Sequence, residues 1–548
     1  MRIRFTLLIL FFTFLYSTLV FKLYNIQIQD GEIYKAKAES QLNLSGLIEP
    51  ERGSIFFTDN RGSEINVAMN NNFPFVYAVP KDLSDALEAS RLLAPILGKE
   101  IALLDKLFSV KEDPYEPLLA KANDSQVTAI KELNLKGIHI DSRPARSYSH
   151  KKLGSHILGF VSDYGSDIGR PIGQYGIERY YNDKLFGTPG TILRDVITRS
   201  KPGDSIYLTI DRNIQTRAEE IVSKLVSDFR GKSGSFIVQD PKSGKILAMG
   251  ALPNFDPNDY SISEIETFMN PNVQSLYEPG SVMKVITMSA GIDSGAITPE
   301  TTYYDKGEIT LNGRTIRNAD LKSHGKLTMT NVIEKSLNTG SVFAEQKTGN
   351  KIFLSYLKSF GIDENTGIDL PGEVSGSLEQ LEKVDTRDIN FATASFGQGI
   401  SMTPLQLVTA VSAIANKGML MRPYINSRIE PKVIRRVIKE ETAVSVSGMM
   451  VSAVDKLNIA TIRGYRIAGK TGTAYIPDFK RGGYTDEVVN TFVAFAPVNN
   501  PRFTILIKLD KPYGAPYASA TVVPAFKELA EFLLSYYNIA PDRPENIN

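Results

Sequence analysis

The N-terminus carries an uninterrupted apolar stretch, Phe5–Phe21, whose sequence is FTLLILFFTFLYSTLVF. As an α-helix these residues would cover roughly 25 Å, and continuing through Lys22–Tyr24 approaches the ~30 Å of a bilayer's hydrocarbon core. The segment that follows, KLYNIQIQD, offers no small residues for signal-peptidase cleavage, so the pattern favours a retained single-span anchor over a cleaved signal peptide. We therefore expect a short tail at 1–4, a transmembrane helix at 5–24 and water-soluble domains after it.

The charge balance and the stock of reactive side chains exclude several classes of protein. The 548-residue chain has 62 basic and 61 acidic residues, a net charge of +1, so no overall positive field would attract nucleic acid. Cysteine is absent, which excludes disulfides, thiolate metal sites and a cysteine nucleophile. Histidine-based chemistry would have to use His139, His150, His156 or His324.

The pattern of apolar residues changes near residue 206 and predicts an α+β domain from there on. GSFIVQD and KILAMGA flank the turn PKSG as a β-hairpin, and NTFVAFA and RFTILIKL flank VNNP as a second one. Asp211 is a candidate helix N-cap, and TVVPAFKELAEFLLSYY at 521–537 predicts a closing helix. Because a mostly helical stretch, roughly 256–455, separates the hairpins, an antiparallel sheet must join distant parts of the chain. The expected domains are a strand-rich module at 25–205, the α+β domain at 206–540 and a polar tail at 541–548.

The first motif with chemical content is Ser281-Val-Met-Lys284, which follows Glu-Pro-Gly and opens an apolar stretch. Residues three apart share one face of a helix, so the hydroxyl and the amine can meet. The Pro-Gly pair places Ser281 at a helix N-terminus, where free N–H groups and the helix dipole favour developing negative charge. An isolated Ser-x-x-Lys is common, so by itself the motif favours a helix start with a solvated lysine.

Two further motifs lie later in the chain. Ser336-Leu-Asn338 stands in a Thr- and Gly-rich stretch that predicts a turn, from which both polar side chains could point into a cleft. The segment from Lys470 to Thr473, Lys-Thr-Gly-Thr, lies in a predicted strand, and its Gly472 indicates close approach of backbone or ligand.

One stretch, GYRIAGKT at 464–471, also matches the pattern of a phosphate-binding loop. Such a loop needs a helix directly after it, and the following GTAYIPDFKRGGY contains Pro477, Gly482 and Gly483, which disfavour a helix. A nucleotide triphosphatase is therefore the weaker alternative.

In this order the three motifs resemble the active-site signature of penicillin-binding proteins and serine β-lactamases. RGSIFFTDNRG, QYGIERYYNDKLFGTPG, LTIDRNIQ, DPKSGKILAM and FGQGISMTPLQL are similar to class B penicillin-binding proteins, most of all to the cell-division-specific peptidoglycan D,D-transpeptidase. The resemblance extends from the apolar run to about residue 535. It implies a single transmembrane helix, an elongated pedestal or dimerisation-type module, and a transpeptidase domain in which an antiparallel sheet carries a helical subdomain.

The resemblance also implies roles in acyl transfer on a peptide that ends in D-alanyl-D-alanine. Ser281 would be the nucleophile, and Lys284 would be its base once burial and the lasting positive charge of Lys470 have lowered its pKa. Ser336 would relay a proton to the departing D-alanine nitrogen, and Asn338 would hold the substrate amide. The substrate-binding segment would comprise Lys470, Thr471, Gly472 and Thr473. Backbone N–H groups of Ser281 and Thr473 would form the oxyanion hole, and no metal or organic cofactor is implied.

Location and partners follow from the same resemblance. It implies a single-pass protein of the cytoplasmic (inner) membrane, with a cytoplasmic tail and an extracytoplasmic or periplasmic catalytic domain. Stem peptides on lipid-linked glycan strands would be substrates, and β-lactams would be inhibitors. Partners would be a membrane glycan polymerase of the shape-elongation-division-sporulation type and other division proteins, without nucleic acid. An elongation-type transpeptidase, a β-lactam-binding sensor or hydrolase, and a non-enzymatic division scaffold stay open as alternatives.

Overall fold

The computed structural model describes residues 2–24, 47–48, 50–162, 171–193, 196–458, 460–478 and 480–543. Residues 25–46 of the expected N-terminal module and residues 544–548 of the expected polar tail lie outside these ranges. The first helix, α1, is Arg2–Tyr24 and includes the expected anchor at 5–24. Within the described ranges, no helix meets the combined length and hydropathy of a membrane span.

The other α-helices of the described ranges are α2 (Ala86–Leu97), α3 (Ile101–Phe108), α4 (Asp124–Leu133), α5 (Ser155–Leu158), α6 (Gly176–Tyr180), α7 (Asn182–Phe186), α8 (Arg212–Asp228), α9 (Pro271–Gln274), α10 (Met283–Asp293), α11 (Met329–Lys335), α12 (Asn338–Thr348), α13 (Asn350–Ser359), α14 (Glu379–Glu382), α15 (Asp388–Ala394), α16 (Pro404–Ala415), α17 (Glu440–Leu457) and α18 (Val522–Tyr536). The strands are β1 (Leu47–Ile48), β2 (Ile55–Thr58), β3 (Ile65–Ala78), β4 (Glu116–Leu119), β5 (Ile138–Tyr148), β6 (Phe160–Ser162), β7 (Ile172–Gln174), β8 (Gly190–Leu193), β9 (Val196–Thr198), β10 (Ile206–Asp211), β11 (Ser233–Gln239), β12 (Ile246–Leu252), β13 (Thr302–Asp305), β14 (Glu308–Leu311), β15 (Arg314–Arg317), β16 (Gly325–Thr328), β17 (Met419–Met421), β18 (Val433–Arg436), β19 (Ala468–Pro477), β20 (Tyr484–Ala496) and β21 (Phe503–Asp510).

These elements form two compact units, and neither unit is one continuous stretch of chain. The first contains the described residues before Ile55 together with Ala68–Ser149 and the described residues of Phe186–Asp204. The second contains Ile55–Val67, the described residues of His150–Leu185, and those from Ser205 onward.

In the first unit, β3 pairs antiparallel with both β4 and β5. Helices α2, α3 and α4 supply the apolar side chains that pack with this sheet. Helices α2 and α4 begin at side-chain caps, because Asp85 accepts from the Glu88 N–H and Asn123 forms a capping box with Gln126. The buried core of this unit includes Val76, Leu93, Leu104, Phe108, Leu118 and Ile130.

The second unit is built on a five-stranded sheet with the order β12-β11-β21-β20-β19. The two predicted hairpins are confirmed as β11–β12 and β20–β21, and β11 pairs antiparallel with β21, which joins them across the sequence. The predicted closing helix is confirmed as α18. Asp211 caps α8, because its carboxylate accepts from the backbone N–H groups of Asn213 and Ile214.

A buried apolar core lies between this sheet and helices α8 and α18, and it includes Phe236, Phe492 and Phe526. The stretch between the hairpins is mostly helical, as predicted, but it also contains the short strand pairs β13–β16, β14–β15 and β17–β18. The sheet and this helical insertion both belong to the second unit, and strand β19 forms one edge of the sheet.

Candidate active site

Ser281 lies one turn before a buried helix. It is the middle residue of a 3-10 turn, Gly280–Val282, that continues directly into α10. Lys284 stands in the first turn of α10 and is 0% exposed, whereas Ser281 is half-buried. The predicted helix start is thus confirmed, but the alternative of a solvated lysine is wrong, because α10 is buried from Met283 to Gly291.

Ser336 and Asn338 lie where one helix ends and the next begins. Ser336 caps the C-terminus of α11 with φ +58°, a left-handed conformation that is uncommon for a residue with a Cβ. Asn338 is the first residue of α12. The predicted turn is therefore a tight connection between two helices, and the strained backbone at Ser336 marks it as a candidate functional position.

The Lys284 side chain reaches this connection from α10. Its Nζ donates to the Ser336 carbonyl oxygen at 2.6 Å, to Ser336 Oγ at 3.3 Å and to Asn338 Oδ1 at 2.8 Å. These contacts bring together two motifs that lie 52 to 54 residues apart in sequence.

Lys470 approaches the same hydroxyl from the edge strand β19. Its Nζ donates to Ser336 Oγ at 2.9 Å and to the Thr471 carbonyl oxygen at 3.1 Å, and the side chain is 3% exposed. The Thr471 hydroxyl lies 3.4 Å from the same nitrogen. Ser336 is therefore the point at which all three sequence motifs meet.

Gly472 sits where β19 passes the residues before and after the serine. A Cβ on Gly472 would lie 2.9 Å from the Pro279 carbonyl oxygen and 3.0 Å from Val282 Cγ2. In proteins, a Cβ atom essentially never comes closer than 3.0 Å to a non-bonded heavy atom, so this position has almost no room for a side chain. The predicted close approach at Gly472 is confirmed, since strand β19 lies directly against the backbone of Pro279 at this point.

The hydrogen bonding of Thr473 and of Ser281 could not be predicted from their motifs. Thr473 Oγ1 accepts from the Ala518 backbone N–H at 3.3 Å, which ties β19 to the turn before α18. The Ser281 hydroxyl forms no hydrogen bond with any described residue. Catalytic hydrogen bonds are often formed only when substrate is bound, so this geometry is compatible with a nucleophile.

Burial lowers the pKa of both lysines. For Lys284, burial is the larger cause and the positive charge of Lys470 is the second, and together they hold its pKa well below 10.5. Burial alone lowers the pKa of Lys470 to about 7. Two like charges that share one hydroxyl disfavour each other, so protonation of either lysine opposes protonation of the other. Burial thus opposes the permanent positive charge expected on Lys470.

Glu278 is a residue that sequence reasoning missed. Its carboxylate accepts from the Gly399 backbone N–H at 3.0 Å and from the Tyr484 hydroxyl at 3.0 Å. It therefore holds the segment FGQGISMT and the start of β20 beside the turn that carries Ser281. In the sequence, only its position directly before Pro279 and Gly280 could have indicated a role for Glu278. Its hydrogen-bond partners become visible only in the folded structure.

The geometry of β19 also decides against the phosphate-loop alternative. Lys470 and Thr471 lie inside a strand that continues to Pro477, whereas a phosphate-binding loop must turn into a helix at this point. Elsewhere, His156 is 4% exposed and burial lowers its pKa to about 4, so it is a neutral core residue.

Comparison with known proteins agrees with this geometry. Residues 234–531 match the penicillin-binding protein transpeptidase domain, and residues 47–223 match the penicillin-binding protein dimerisation domain. The chain is 32% identical to stage V sporulation protein D of Bacillus subtilis, over 94% of this chain and 83% of that protein. It is 28% identical to peptidoglycan D,D-transpeptidase FtsI of Escherichia coli, over 90% of this chain and 85% of that protein.

A similar solved structure is penicillin-binding protein 3 of Mycobacterium tuberculosis in complex with aztreonam. The TM-score is 0.70 and the identity 26%, with 91% of this chain and 98% of that chain covered. The two matched domains, the relatives and this fold agree with one another over nearly the whole chain. The chain therefore belongs to the class B penicillin-binding proteins of the FtsI type and is a peptidoglycan D,D-transpeptidase.

Proposed function

We propose that the transpeptidase works through a serine acyl-enzyme in which Ser281 is the nucleophile and Lys284 its general base. The observation that carries this proposal is the buried pair of lysines. Lys284 lies one helical turn after Ser281, is fully buried and has a pKa held well below its usual range by burial and by Lys470. A lysine can accept a proton only when neutral, and this environment favours the neutral form.

In the proposed reaction, Ser281 Oγ attacks the carbonyl carbon of the penultimate D-alanine while Lys284 takes the hydroxyl proton. Ser336, which accepts hydrogen bonds from both lysines, passes a proton to the departing nitrogen, so the terminal D-alanine leaves as an amine. An amine of a neighbouring stem peptide then attacks the ester carbonyl and forms the crosslink, and the proton that this amine loses passes through Lys284 to Ser281 Oγ as the ester bond breaks. Backbone N–H groups of Ser281 and Thr473 would stabilise the oxyanion, each contributing about 3 kcal/mol.

Substrate binding is proposed for Asn338 and for the segment Lys470–Thr473. Asn338 would hold the substrate amide, and Lys470 with Thr471 and Thr473 would bind the terminal carboxylate. Gly472 allows β19 to lie directly against the backbone at Pro279, so the carboxylate-binding strand and the nucleophile are held together.

Covalent labelling tests the nucleophile. The full-length protein should form a one-to-one adduct with a fluorescent penicillin, and Ser281→Ala should abolish it. The matched control is Ser294→Ala, which removes an exposed hydroxyl near the end of the same helix and should leave labelling intact. An adduct that persists in Ser281→Ala, or that maps to another residue, would show that the nucleophile is wrongly assigned.

For the biological role, we propose septal cell-wall synthesis in cell division. The resemblance of FGQGISMTPLQL to the division type and the relatives named FtsI support it. The relative named stage V sporulation protein D supports sporulation as a second candidate. An elongation role stays an alternative. A fluorescent fusion that concentrates at mid-cell would support division, whereas signal along the side wall or around the forming spore would support one of the others.

We propose, further, that the apolar residues 5–24 anchor the chain in the cytoplasmic membrane with its catalytic domain outside. The uncharged run Phe5–Phe21 and the helix Arg2–Tyr24 support this.

The proposed partners are a membrane glycan polymerase and other division proteins. The proposed boundary between a module at 25–205 and a catalytic domain at 206–540 is supported by the change of compact unit between Asp204 and Ser205, whereas Ile55–Val67 and the described residues of His150–Leu185 belong to the second unit. A reporter that is active only outside the cytoplasm, fused after residue 548, should be active, and a soluble form starting near residue 25 would contradict the anchor.

A further inference from the structure

A buried carboxylate lies next to the Ser336–Asn338 connection, at the end of β13. Asp305 is 0% exposed, and no lysine or arginine of the described ranges forms an ion pair with it. Its carboxylate oxygens accept hydrogen bonds from donors that include the backbone N–H groups of Gly307 and His324, each at 3.0 Å. A buried polar group is tolerated when it is hydrogen-bonded, and a satisfied network also fixes the position of the groups that donate to it.

The remaining hydrogen bonds of Asp305 lead toward the active site. Asn318 Nδ2 donates to both carboxylate oxygens, at 3.1 and 3.0 Å, and the Thr339 hydroxyl donates to Oδ1 at 2.7 Å. Asn318 Oδ1 in turn accepts from the Thr339 backbone N–H at 3.2 Å. Thr339 is thus held through its side chain and its backbone, and it directly follows Asn338.

The neighbouring contacts set which way the Asn338 amide faces. Asn338 Nδ2 donates to the carbonyl oxygen of Arg317, the residue before Asn318, at 2.9 Å. The amide oxygen therefore faces Lys284 Nζ, at 2.8 Å. The orientation of Asn338 and the position of Thr339 are both determined by the short segment 317–318.

The first turn of α12 is tightly packed against its neighbours. A Cβ on Gly340 would lie 2.2 Å from Val332 Cγ2 and 2.8 Å from the Tyr303 hydroxyl. The helix start is thus pressed against α11 on one side and β13 on the other. A displacement of Thr339 would be transmitted to Asn338 rather than absorbed by empty space.

We propose that Asp305 is a positioning residue, which acts through Asn318 and Thr339 to hold the Asn338 amide oxygen on Lys284. Asp305 touches neither Ser281 nor the substrate in this proposal. It keeps Asn338 and Lys284 in the geometry that acylation needs, and the inference rests on the proposed acyl-enzyme function.

The test separates the rate of acylation from the affinity for penicillin in the full-length protein. Thr339→Val keeps the shape of the side chain but removes the hydroxyl that donates to Asp305. We expect it to lower the first-order acylation rate by about 10- to 100-fold, because small displacements of reacting groups cost that much, with little change in Kd. Thr339→Ser keeps the hydroxyl and should restore most of the rate, which a purely steric role of residue 339 would not predict.

Two further variants complete the experiment. Thr310→Val makes the same change in the exposed Thr310–Thr315 pair of the β14–β15 hairpin and should leave the acylation rate unchanged. Asp305→Asn should reproduce the loss of Thr339→Val, and the double variant should lose little more than either one, since both act on one path. Thermal unfolding shows whether each variant is folded, and the Thr339 variants decide the question if Asp305→Asn does not fold.

The outcomes are distinct. A wild-type acylation rate in folded Thr339→Val, or losses that multiply in the double variant, would overturn the positioning role while leaving the acyl-enzyme intact. If the unaltered protein were not acylated at Ser281, the proposed function and this inference would both be wrong.

Discussion

The side-chain nitrogens of Lys284 and Lys470 donate to the same oxygen, Ser336 Oγ, at 3.3 and 2.9 Å. Both side chains are buried, so water cannot screen the two charges from each other. Protonation of one lysine therefore opposes protonation of the other. This relationship favours a state in which only one of the two lysines carries a positive charge.

The first prediction compares arginine at the two positions. Arginine stays protonated in proteins, so Lys284→Arg cannot accept the Ser281 proton and should lower the acylation rate by at least about 100-fold. Lys470→Arg keeps a positive charge and donors near the substrate carboxylate, so it should retain measurable acylation with weaker binding. Single-turnover acylation by a fluorescent penicillin measures both. Equal losses, or a fully active Lys284→Arg, would contradict the assigned roles.

The second prediction concerns pH. As the pH falls, Lys284 takes up a proton and can no longer act as a base, so the acylation rate should fall. As the pH rises above about 7, Lys470 loses its proton and binds a carboxylate less well, so the Kd for penicillin should rise. The ratio of acylation rate to Kd should therefore be bell-shaped. In Lys470→Arg the alkaline rise of Kd should disappear, because the guanidinium stays charged, and an unchanged alkaline limb would show that another group causes it.

The third prediction uses the glycine that lets β19 approach the nucleophile. Gly472→Ala would place a Cβ 2.9 Å from the Pro279 carbonyl oxygen, so the strand and the serine turn must separate. We expect a loss of stability of about 1–3 kcal/mol, as for other overpacked sites, together with slower acylation. The control is Gly448→Ala on the exposed side of α17, where a Cβ meets nothing within 4 Å. That variant should be neutral or stabilised by about 0.5–1 kcal/mol, since alanine favours the helix.

The fourth prediction concerns a carboxyl group buried in α12. Glu345 is 1% exposed, its Oε1 has no hydrogen-bond partner, and burial with the nearby Asp388 raises its pKa to about 8. The folded protein therefore holds this proton where the unfolded chain has lost it, so the group's contribution to stability falls as the pH rises from about 4.5 to 8. Glu345→Gln should change the melting temperature little at pH 5 and raise it above pH 8. The expected gain is on the order of 1–3 kcal/mol, and a variant destabilised at pH 8.5 would contradict it.

Much of the local structure could be predicted from sequence because it depends on neighbours in the chain. The two hairpins follow from alternating apolar runs around short polar turns, and the cap at Asp211 follows from a carboxylate placed before a helical period. The three motifs could be recognised because each consists of residues at most three positions apart. The close approach of the backbone at Gly472 could be predicted because only glycine lacks the Cβ atom that would prevent it.

What the tertiary structure decided is where those motifs meet and in what environment. The contacts of Lys284 and Lys470 with Ser336 span 52 and 134 residues, and no local pattern encodes such a distance. Burial lowers the pKa of both lysines, and burial is a property of every residue packed around them rather than of the motif itself. The same holds for Asp305, which looks like an ordinary acidic residue in the sequence and becomes a buried, hydrogen-bonded carboxyl group only when β13, β15 and α12 come together. Sequence thus determined which groups are available for the chemistry, whereas long-range packing determined their protonation and their geometry.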